Sequence, residues 1–428
     1  MPEPLKISVV TLGCPKNVVD SEYLLGQLQQ SQARLVANVD DADTLIINTC
    51  GFIKDAKQES IDAIMEAVEK KKRGGLKKIV VMGCLAERFK KELAAEIPEV
   101  DSFFGTNQLS AILKDLGTDY KTELLGERSL TTPDHYAYLK ISEGCDNPCS
   151  FCAIPLMRGQ HRTKPMEELV HEARLLAEKG VKELIVIGQD TTSYGLDLYG
   201  ERRLAQLLGK LNGIDGIEWI RLMYAYPAKF PHEVIDAFQK FPKLCRYIDI
   251  PIQHCSDRVL KSMRRGMTRR STYELLTRLQ RELPGLALRT TLIVGYPGET
   301  NEDFTLLYDF VKEMRFHRLG VFTYSQEEGT AAFDLGDPVA EEVKQERQAA
   351  IMEAQKEISR QHNESLVGKT LKVLVDGREG EFFVGRTEWD APEIDQEVFV
   401  RSAQPLKAGT FQTVTITDGA EYDLYASA

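Results

Sequence analysis

Residues 143–152 read EGCDNPCSFC and place three cysteines, Cys145, Cys149 and Cys152, with three and then two residues between them. Thiolate sulfur is a preferred ligand of iron–sulfur clusters, so three thiols this close in the chain can hold one cluster. Three protein ligands on a four-iron cube leave one iron without a protein ligand. The spacing therefore predicts a cluster with an open iron, where chemistry can take place.

Zinc is the alternative metal for closely spaced cysteines. A structural zinc site needs a fourth Cys or His at a compatible position. The nearest candidate is His161, nine residues after Cys152. The motif therefore favours iron over zinc, and over simple burial of the three thiols.

Six apolar strand candidates lie between residues 136 and 326: YLKIS, ELIVIG, IEWIRLMY, YIDIPIQ, LRTTLIVG and LGVFTYS. Helical patterns such as MEELVHEARLLAEKG and STYELLTRLQREL separate several of them. Six β/α units predict an open barrel, because a closed barrel of this type needs eight. The cysteine motif follows the first strand, at the carboxyl end where barrel active sites form.

The first segment, up to about residue 118, also alternates apolar strands with helical stretches, which predicts a parallel sheet with helices on its faces. Cys14, Cys50 and Cys84 follow three of its strands, in VVTLGC, LIINTC and VVMGC. Because the carboxyl ends of parallel strands share one edge, we expect the three thiols to converge. A single such cysteine is more often a core residue. The repeated placement instead predicts a second cluster site with an open iron.

The rest of the chain divides into a linker, a bridging helix and a small β domain. Residues 120–135 lack periodicity and predict a linker, whereas residues 338–366 are charged and helical in period. The strands TLKVLVDG, EFFVGRT, QEVFVRS and FQTVTITDG predict a small antiparallel β-barrel. The predicted fold class is α/β with three domains: a parallel-sheet domain (5–118), an open (β/α)6 barrel with the bridging helix (131–364) and a β-barrel (366–428).

The composition of the 428 residues, 43% hydrophobic and 28% charged, is that of ordinary globular domains. No apolar run approaches the roughly 20 residues that a membrane span needs, and the N-terminus resembles a strand more than a signal peptide. We therefore expect a cytoplasmic protein with no membrane partner. Eight cysteines in such a chain indicate metal or redox chemistry. The net charge of −11 favours a basic partner over nucleic acid.

The EGCDNPCSFC motif resembles the cluster motif of the radical S-adenosylmethionine superfamily. The resemblance implies that Cys145, Cys149 and Cys152 are the catalytic cluster ligands and that the open iron binds the methionine end of S-adenosylmethionine. Reduction then yields a 5'-deoxyadenosyl radical that abstracts hydrogen from carbon. The resemblance also implies that Phe151 lies against the adenine. Gly188, Gln189 and Asp190 would lie near the methionine end, where the superfamily usually has Gly-Gly-Glu.

Over essentially the whole chain, the three predicted domains together resemble the methylthiotransferases, with a terminal barrel similar to a TRAM domain. The resemblance implies S-adenosylmethionine and two 4Fe-4S clusters as cofactors, with Cys14, Cys50 and Cys84 holding the second cluster. It implies that one S-adenosylmethionine methylates sulfur held at this cluster and another supplies the radical. The substrate carbon then takes up the methylthio group. An electron donor such as flavodoxin or ferredoxin is implied as a partner.

Two branches of the methylthiotransferases differ in substrate: isopentenyl-adenosine in transfer RNA, or the β-carbon of an aspartate in the twelfth protein of the small ribosomal subunit. Residues 366–428 carry six basic and eleven acidic side chains, which suits a basic ribosomal protein better than RNA. The stretch CAIPLMRGQHRTKP also resembles the ribosomal-protein branch. We predict that branch. The alternative functions are a transfer-RNA methylthiotransferase and a non-catalytic iron–sulfur or RNA-binding protein. The acidic residues of the terminal barrel have an alternative explanation of their own, which is a solvated acidic surface with no partner.

Four basic residues follow the barrel motif: Arg158, His161, Arg162 and Lys164. One hypothesis is that they meet the substrate carboxylate or the cofactor, and that Arg158→Ala weakens modification while both clusters stay intact. The alternative is that they are surface charges. Cys245 and Cys255 belong to neither group and are given no role.

Overall fold

The structure, a computed structural model, describes residues 5–31 and 33–428. Its N-terminal domain is a five-stranded parallel sheet in the order β2-β1-β3-β4-β5, which confirms the predicted architecture. In chain order its elements are β1 (Lys6–Thr11), α1 (Pro15–Gln29), β2 (Arg34–Leu35), β3 (Thr44–Thr49), α2 (Lys54–Lys72), β4 (Lys78–Gly83), α3 (Cys84–Glu96), β5 (Ser102–Phe104) and α4 (Leu109–Asp115).

The second domain is an open sheet of six parallel strands in the order β13-β12-β11-β10-β9-β6. All six strands predicted from the sequence are present. The elements are β6 (Tyr136–Lys140), β7 (Ser142–Glu143), α5 (Ile154–Arg158), β8 (Arg162–Thr163), α6 (Met166–Glu178), β9 (Glu183–Ile187), α7 (Leu196–Tyr199), α8 (Leu204–Asn212), β10 (Trp219–Leu222), α9 (His232–Lys240), β11 (Leu244–Asp249), α10 (Asp257–Ser262), α11 (Arg269–Glu282), β12 (Ala287–Val294), α12 (Asn301–Met314) and β13 (Arg318–Thr323).

The predicted bridging helix is α13 (Glu341–Glu364), which runs along the outer edge of the open barrel. An edge strand exposes unpaired backbone groups. Gln348 on α13 donates a hydrogen bond of 2.6 Å to the carbonyl of Val321 on β13, and Gln355 donates to the carbonyl of Phe316 at 2.9 Å. The helix therefore covers the β13 edge and satisfies part of its backbone.

The C-terminal domain is a closed barrel in the order β14-β15-β16-β18-β17. Its strands are β14 (Thr370–Glu379), β15 (Phe382–Arg386), β16 (Val398–Arg401), β17 (Phe411–Gly419) and β18 (Leu424–Ser427). Four neighbouring pairs are antiparallel, as predicted, but β16 and β18 are parallel. The reason is that β17 crosses to pair with β14, so the returning β18 closes the barrel in the same direction as β16.

The interior of the open barrel is filled from both ends. Strand residues such as Tyr138, Ile185 and Tyr247 form one buried cluster with Val19 from α1 and Leu374 from β14. Side chains alternate along each strand, so the other face packs on the surrounding helices. All three domains therefore share this interior, and the N-terminal domain lies against the barrel.

The linker of residues 120–135 is packed against both domains that it joins. It contains a short 3-10 turn, Thr122–Leu124, but no longer element. Arg128 is buried between Glu22 of α1 and Glu172 of α6, at 3.6 and 3.4 Å. The lack of periodicity predicted the irregular backbone but not this buried contact.

The surface of the terminal barrel is less acidic than its composition predicts. Asp376, Glu388, Asp390, Asp395 and Asp423 are not exposed. The exposed acidic residues are Glu379, Glu381, Glu393, Glu397, Asp418 and Glu421, and the exposed basic residues are Lys369, Lys372, Arg378, Arg401 and Lys407. Six exposed acids against five exposed bases leave a nearly neutral surface, so this surface charge does not by itself select a basic partner.

Candidate active site between two cysteine groups

Cys14, Cys50 and Cys84, the N-terminal cysteine group, lie at the carboxyl edge of the parallel sheet. Cys50 directly follows β3, and Cys84 directly follows β4 as the first residue of α3. Helix α1 begins at Pro15, immediately after Cys14. Proline has no N–H to donate, but the N–H groups of a first helical turn have no partner within the helix, so no helical hydrogen bond is lost. Gly13 has a φ of +89°, and a Cβ there would lie 2.9 Å from the Cys50 Sγ. Only glycine therefore allows the Cys14 turn to approach Cys50 this closely.

The three thiols of the N-terminal group act on one another electrostatically. Burial is the main cause that raises the pKa of Cys84 to about 12, and the charges of Cys14 and Cys50 raise it further. Burial also raises the pKa of Cys50, with a contribution from Cys14. The expected convergence therefore agrees with the electrostatics of the three side chains.

Asn17 and Arg158 hold the N-terminal group in place. The Asn17 amide donates to the carbonyls of Leu12 and Thr49, at 2.7 and 3.1 Å, and so ties the ends of two strands together. Its oxygen accepts a hydrogen bond from Arg158. Asn17 was not identified from the sequence. The signal for it was a polar residue in the first turn of a helix, three positions after Cys14.

Arg158 is buried, with 2% of its surface exposed, and its guanidinium is already paired within the chain. Its guanidinium donates to Asp20 of α1 at 2.6 Å and to Glu143 at 3.2 Å, and it lies beside Cys84 and Cys14. The hypothesis that Arg158 meets a substrate carboxylate is therefore wrong, because two carboxylates of the chain already surround it.

The other three basic residues of that hypothesis differ in their surroundings. The ring of His161 is buried, with Nε2 3.2 Å from Thr163 Oγ1 and 3.7 Å from Asp197. Lys164 donates to the Tyr23 hydroxyl at 2.7 Å. Arg162 is exposed. For Arg162 the interpretation as a surface charge holds, whereas His161 and Lys164 contact residues of this chain.

Cys145, Cys149 and Cys152, the barrel cysteine group, lie in the loop after β7. Arg265 Nη1 donates to Cys149 Sγ at 3.2 Å, and Asn147 Nδ2 donates to Cys145 Sγ at 3.4 Å. Burial raises the pKa of Cys152 to about 12 and that of Cys145 to about 11. Sequence reasoning missed Arg265, whose only signal was its place in a basic stretch just before α11.

The residues assigned to the cofactor by resemblance lie around this loop. Gln189 donates to Glu143 at 2.6 Å, and Asp190 accepts from Asn147 at 2.8 Å. A Cβ on Gly188 would lie 2.8 Å from the Ser142 hydroxyl. Phe151 packs instead toward the later strands, in a cluster that includes Tyr296 and Tyr324. The structure thus brings Gly188, Gln189 and Asp190 to one side of the cysteine loop and Phe151 to another.

The two cysteine groups are neighbours across the domain interface. Cys84 belongs to one buried cluster with Ala153, which directly follows Cys152, and Met157. Nearby, Arg88 of α3 and Lys57 of α2 both contact Glu327 at 2.8 Å. The interface therefore seals the N-terminal sheet edge against the barrel loop that carries the second group.

Cys245 and Cys255 lie outside both groups. Cys245 is buried on β11 inside the barrel. Cys255 is also buried, and its thiol donates to the carbonyl of Leu306 on α12 at 3.3 Å. Both are packing residues in this fold.

The donor set of each cysteine group fits an iron–sulfur cluster. Within residues 5–31 and 33–428, no three His, Cys, Asp or Glu side chains are close enough together to bind one metal ion. The cysteines of a cube each bind a different iron, so they stand further apart than ligands on one ion. Buried thiols with raised pKa values become ligands when a metal deprotonates them. Burial raises the pKa of two thiols in each group, Cys50 and Cys84 in the N-terminal group and Cys145 and Cys152 in the barrel group. Cys14 and Cys149 complete the two sets of three.

Lys16 is a further buried charge that sequence reasoning missed. It follows Pro15 in the first turn of α1, and its Nζ lies 3.0 Å from the centroid of the Tyr224 ring at the end of β10. Burial lowers the pKa of its ammonium to about 8. Its signal in the sequence was its position two residues after Cys14.

An open barrel of six parallel strands, with three cysteines after its first strand, defines a radical S-adenosylmethionine protein. The family model described as the radical SAM superfamily matches residues 139–311, the TRAM domain matches 367–428, and uncharacterized protein family UPF0004 matches 6–105. The radical S-adenosylmethionine methyltransferase TsrM from Kitasatospora setae, solved with cobalamin and a [4Fe-4S] cluster bound, has a similar fold: TM-score 0.57, 14% identity and 77% of each chain covered.

Curated relatives are similar over nearly the full length. The ribosomal protein uS12 methylthiotransferase RimO of Christiangramia forsetii is 54% identical, covering 98% of this chain and 93% of the relative. The protein of the same name from Chloroherpeton thalassium is 52% identical, covering 99% and 98%. The chain belongs to this family, the RimO methylthiotransferases. The radical S-adenosylmethionine assignment supports an iron–sulfur cluster and S-adenosylmethionine as cofactors.

No helix in the part of the chain that the structure describes has both the length and the hydrophobicity to cross a membrane.

Proposed function

We propose that this protein is a radical S-adenosylmethionine methylthiotransferase that adds a methylthio group to the β-carbon of an aspartate in ribosomal protein uS12, using two iron–sulfur clusters. The observation that supports this most strongly is that Cys84 packs in one buried cluster with Ala153, the residue directly after Cys152, so the two cysteine groups are neighbours. A sulfur donor and a radical source must face the same substrate carbon, because the radical formed there must meet sulfur before it meets anything else. Adjacent cysteine groups satisfy that condition.

Bound clusters and S-adenosylmethionine would supply radical formation and the transferred sulfur. Cys14, Cys50 and Cys84 would hold the sulfur-donating cluster, and Cys145, Cys149 and Cys152 the reducing cluster. Hydrogen bonds to cluster sulfurs help to set the reduction potential. Arg265 and Asn147 donate to sulfurs of the barrel group. With a cluster bound, these two side chains would stabilise negative charge on its cysteine sulfurs.

The N-terminal group is held differently. Asn17 fixes the ends of β1 and β3, and Arg158 places a positive charge beside the thiols. Packing of α3 on α5 excludes water from the junction, as the burial of Cys84, Ala153 and Met157 indicates. Exclusion of water from a closed site limits side reactions of reactive intermediates. The residues of this chain therefore position the ligands and close the site.

The names of the full-length relatives favour uS12 over transfer RNA as the substrate. The test is anaerobic incubation of the reconstituted protein with reductant, S-adenosylmethionine and either uS12 or unmodified transfer RNA. We expect formation of 5'-deoxyadenosine and a methylthio group on one uS12 aspartate, detected by mass spectrometry. Modification of transfer RNA alone would overturn the substrate, and absence of 5'-deoxyadenosine with clusters loaded would overturn the enzyme.

Matched cysteine variants connect this activity to the site. Cys149→Ala should abolish 5'-deoxyadenosine formation, because it removes a ligand of the reducing cluster. Cys245→Ala also removes a thiol of the same domain, but one that is buried in the barrel interior. That control variant should keep its activity.

A further inference from the structure

Lys16 is a buried cation two residues after Cys14, at the interface between the N-terminal domain and the open barrel. Only 7% of its surface is exposed. Its side chain crosses from the N-terminal domain to the carboxyl end of the barrel, where its Nζ lies over the Tyr224 ring. The backbone of Tyr224 is left-handed, with φ of +57°. The N–H of Tyr224 donates a hydrogen bond of 3.0 Å to the Asp249 carboxylate, which holds the tyrosine in place. The ammonium is therefore held at a defined position between the domains.

No hydrogen-bond or ion-pair partner of the Lys16 ammonium is present among residues 5–31 and 33–428, and its Nζ lies over the Tyr224 ring. The charged groups that face it are Cys14, Asp249, Glu143 and Arg158. Asp249 is already paired with Arg289 at 3.0 Å, and Glu143 with Lys140 at 2.7 Å. Lys16 thus lacks a carboxylate of its own, although a buried cation is stable only when it is paired.

Arg158 is a second buried cation near Cys14, and its surroundings differ from those of Lys16. It lies beside the same cysteines, and two carboxylates of the chain, Asp20 and Glu143, neutralise it. Arg158 therefore has carboxylate partners within the chain, whereas Lys16 has none among the described residues. A cation in that situation is suited to an anion that arrives from outside the chain.

We propose that Lys16 binds the side-chain carboxylate of the aspartate that receives the methylthio group. The proposal rests on the function proposed above. In an aspartate the β-carbon is bonded directly to the carboxylate carbon, so a group beside the sulfur donor is also within reach of that carboxylate. Lys16 is two residues from Cys14, a ligand in the donor group, and it reaches toward the barrel from which the radical comes. A base in RNA offers no carboxylate at the equivalent position.

Binding of this kind would make Lys16 a specificity residue. A buried ammonium discriminates strongly against a neutral isostere, because the charge is left unpaired when the partner carries none. Asparagine in place of the acceptor aspartate has nearly the same shape without the charge. The protein should therefore select aspartate over asparagine through Lys16.

The experiment measures binding of uS12, and of a uS12 variant with asparagine at the acceptor position, to the reconstituted wild-type protein and to Lys16→Met and Lys16→Arg. We expect wild type to bind the asparagine variant at least about tenfold more weakly than uS12, and Lys16→Met to bind both forms equally weakly. Lys16→Arg keeps the charge and should recover most of the discrimination. Lys312→Met is the matched control, because Lys312 also lies over a tyrosine ring, Tyr308 at 5.4 Å, but on the exposed face of α12.

Three results would contradict the proposal, and they are distinguishable. Unchanged discrimination in Lys16→Met, with the wild type binding and modifying uS12, would overturn the role of Lys16 alone. The same result with an altered electron paramagnetic resonance signal of the reduced N-terminal cluster would make Lys16 a counter-ion of that cluster instead. Failure of the wild-type protein to bind or modify uS12 would overturn the proposed function together with this assignment.

Discussion

Arg158 shows what one buried residue does at the domain interface. Its guanidinium joins Asp20 of the N-terminal domain to Glu143 of the barrel and contacts Asn17. Lys140 pairs with the same two carboxylates. An arginine cannot lose its proton in a protein, so it is a permanent charge in this network. Its removal leaves two buried carboxylates with one cation.

We expect Arg158→Met to lower the free energy of unfolding by about 3 to 5 kcal/mol, the cost of breaking a buried ion pair. The same variant should lose iron from the N-terminal cysteine group, because Arg158 lies beside Cys84. Chemical unfolding and iron analysis are the measurements. Arg162→Met, at an exposed neighbouring position, is the control and should behave as wild type. Full stability and iron content in Arg158→Met would show that the network is dispensable.

His254 makes stability depend on pH. The ring is fully buried, its Nδ1 accepts the Ser256 N–H at 2.9 Å, and burial lowers its pKa from 6.5 to about 4. Between these values the unfolded chain binds a proton that the folded chain does not, so stability falls as pH falls from 6.5 to 4. His254→Asn keeps an acceptor for Ser256 but does not titrate. Relative to that variant, wild type should lose up to about 3 kcal/mol over this window, measured by chemical unfolding at each pH. Parallel pH profiles would contradict this.

Among the structural elements, the segment between β15 and β16 joins the terminal barrel to the open barrel. Asp390 accepts from Arg318 of β13 at 2.5 and 2.8 Å, and Asp395 accepts from Tyr247 of β11 at 2.8 Å. Arg386 of β15 pairs with Glu183 of β9 at 2.8 Å. Acidic side chains of the terminal barrel therefore act as internal partners of the open barrel, and the segment fixes one domain on the other.

We expect Asp390→Ala to destabilise the junction by about 3 kcal/mol or more, because it leaves Arg318 buried without its carboxylate. Adding Arg318→Met should recover part of the loss, since it removes the unpaired charge. Asp418→Ala, an exposed acid of the same barrel, should change stability little. Limited proteolysis and chemical unfolding would measure the effect. Equal behaviour of Asp390→Ala and Asp418→Ala would contradict it.

Across the whole molecule, local sequence patterns predicted the strands and helices, but they did not predict contacts between residues that are far apart in the chain. Apolar runs and their period gave the six barrel strands, and the place of Cys14, Cys50 and Cys84 after strands predicted one sheet edge. Arg158 and Asp20 are far apart in the chain, and so are Asp390 and Arg318. No local signal indicates such pairs, so the sequence predicted neither the buried ion pairs of Arg158 nor the role of the barrel acids as partners of the open barrel.

The central claim is that the two neighbouring cysteine groups each hold a cluster. It is tested most directly by iron analysis of anaerobically reconstituted wild type beside two triple variants, Cys14→Ala/Cys50→Ala/Cys84→Ala and Cys145→Ala/Cys149→Ala/Cys152→Ala. We expect each triple variant to bind half the iron of the wild type, because each loses one of two equal clusters. Wild-type iron content in the first variant would contradict it, since the N-terminal group would then hold no cluster.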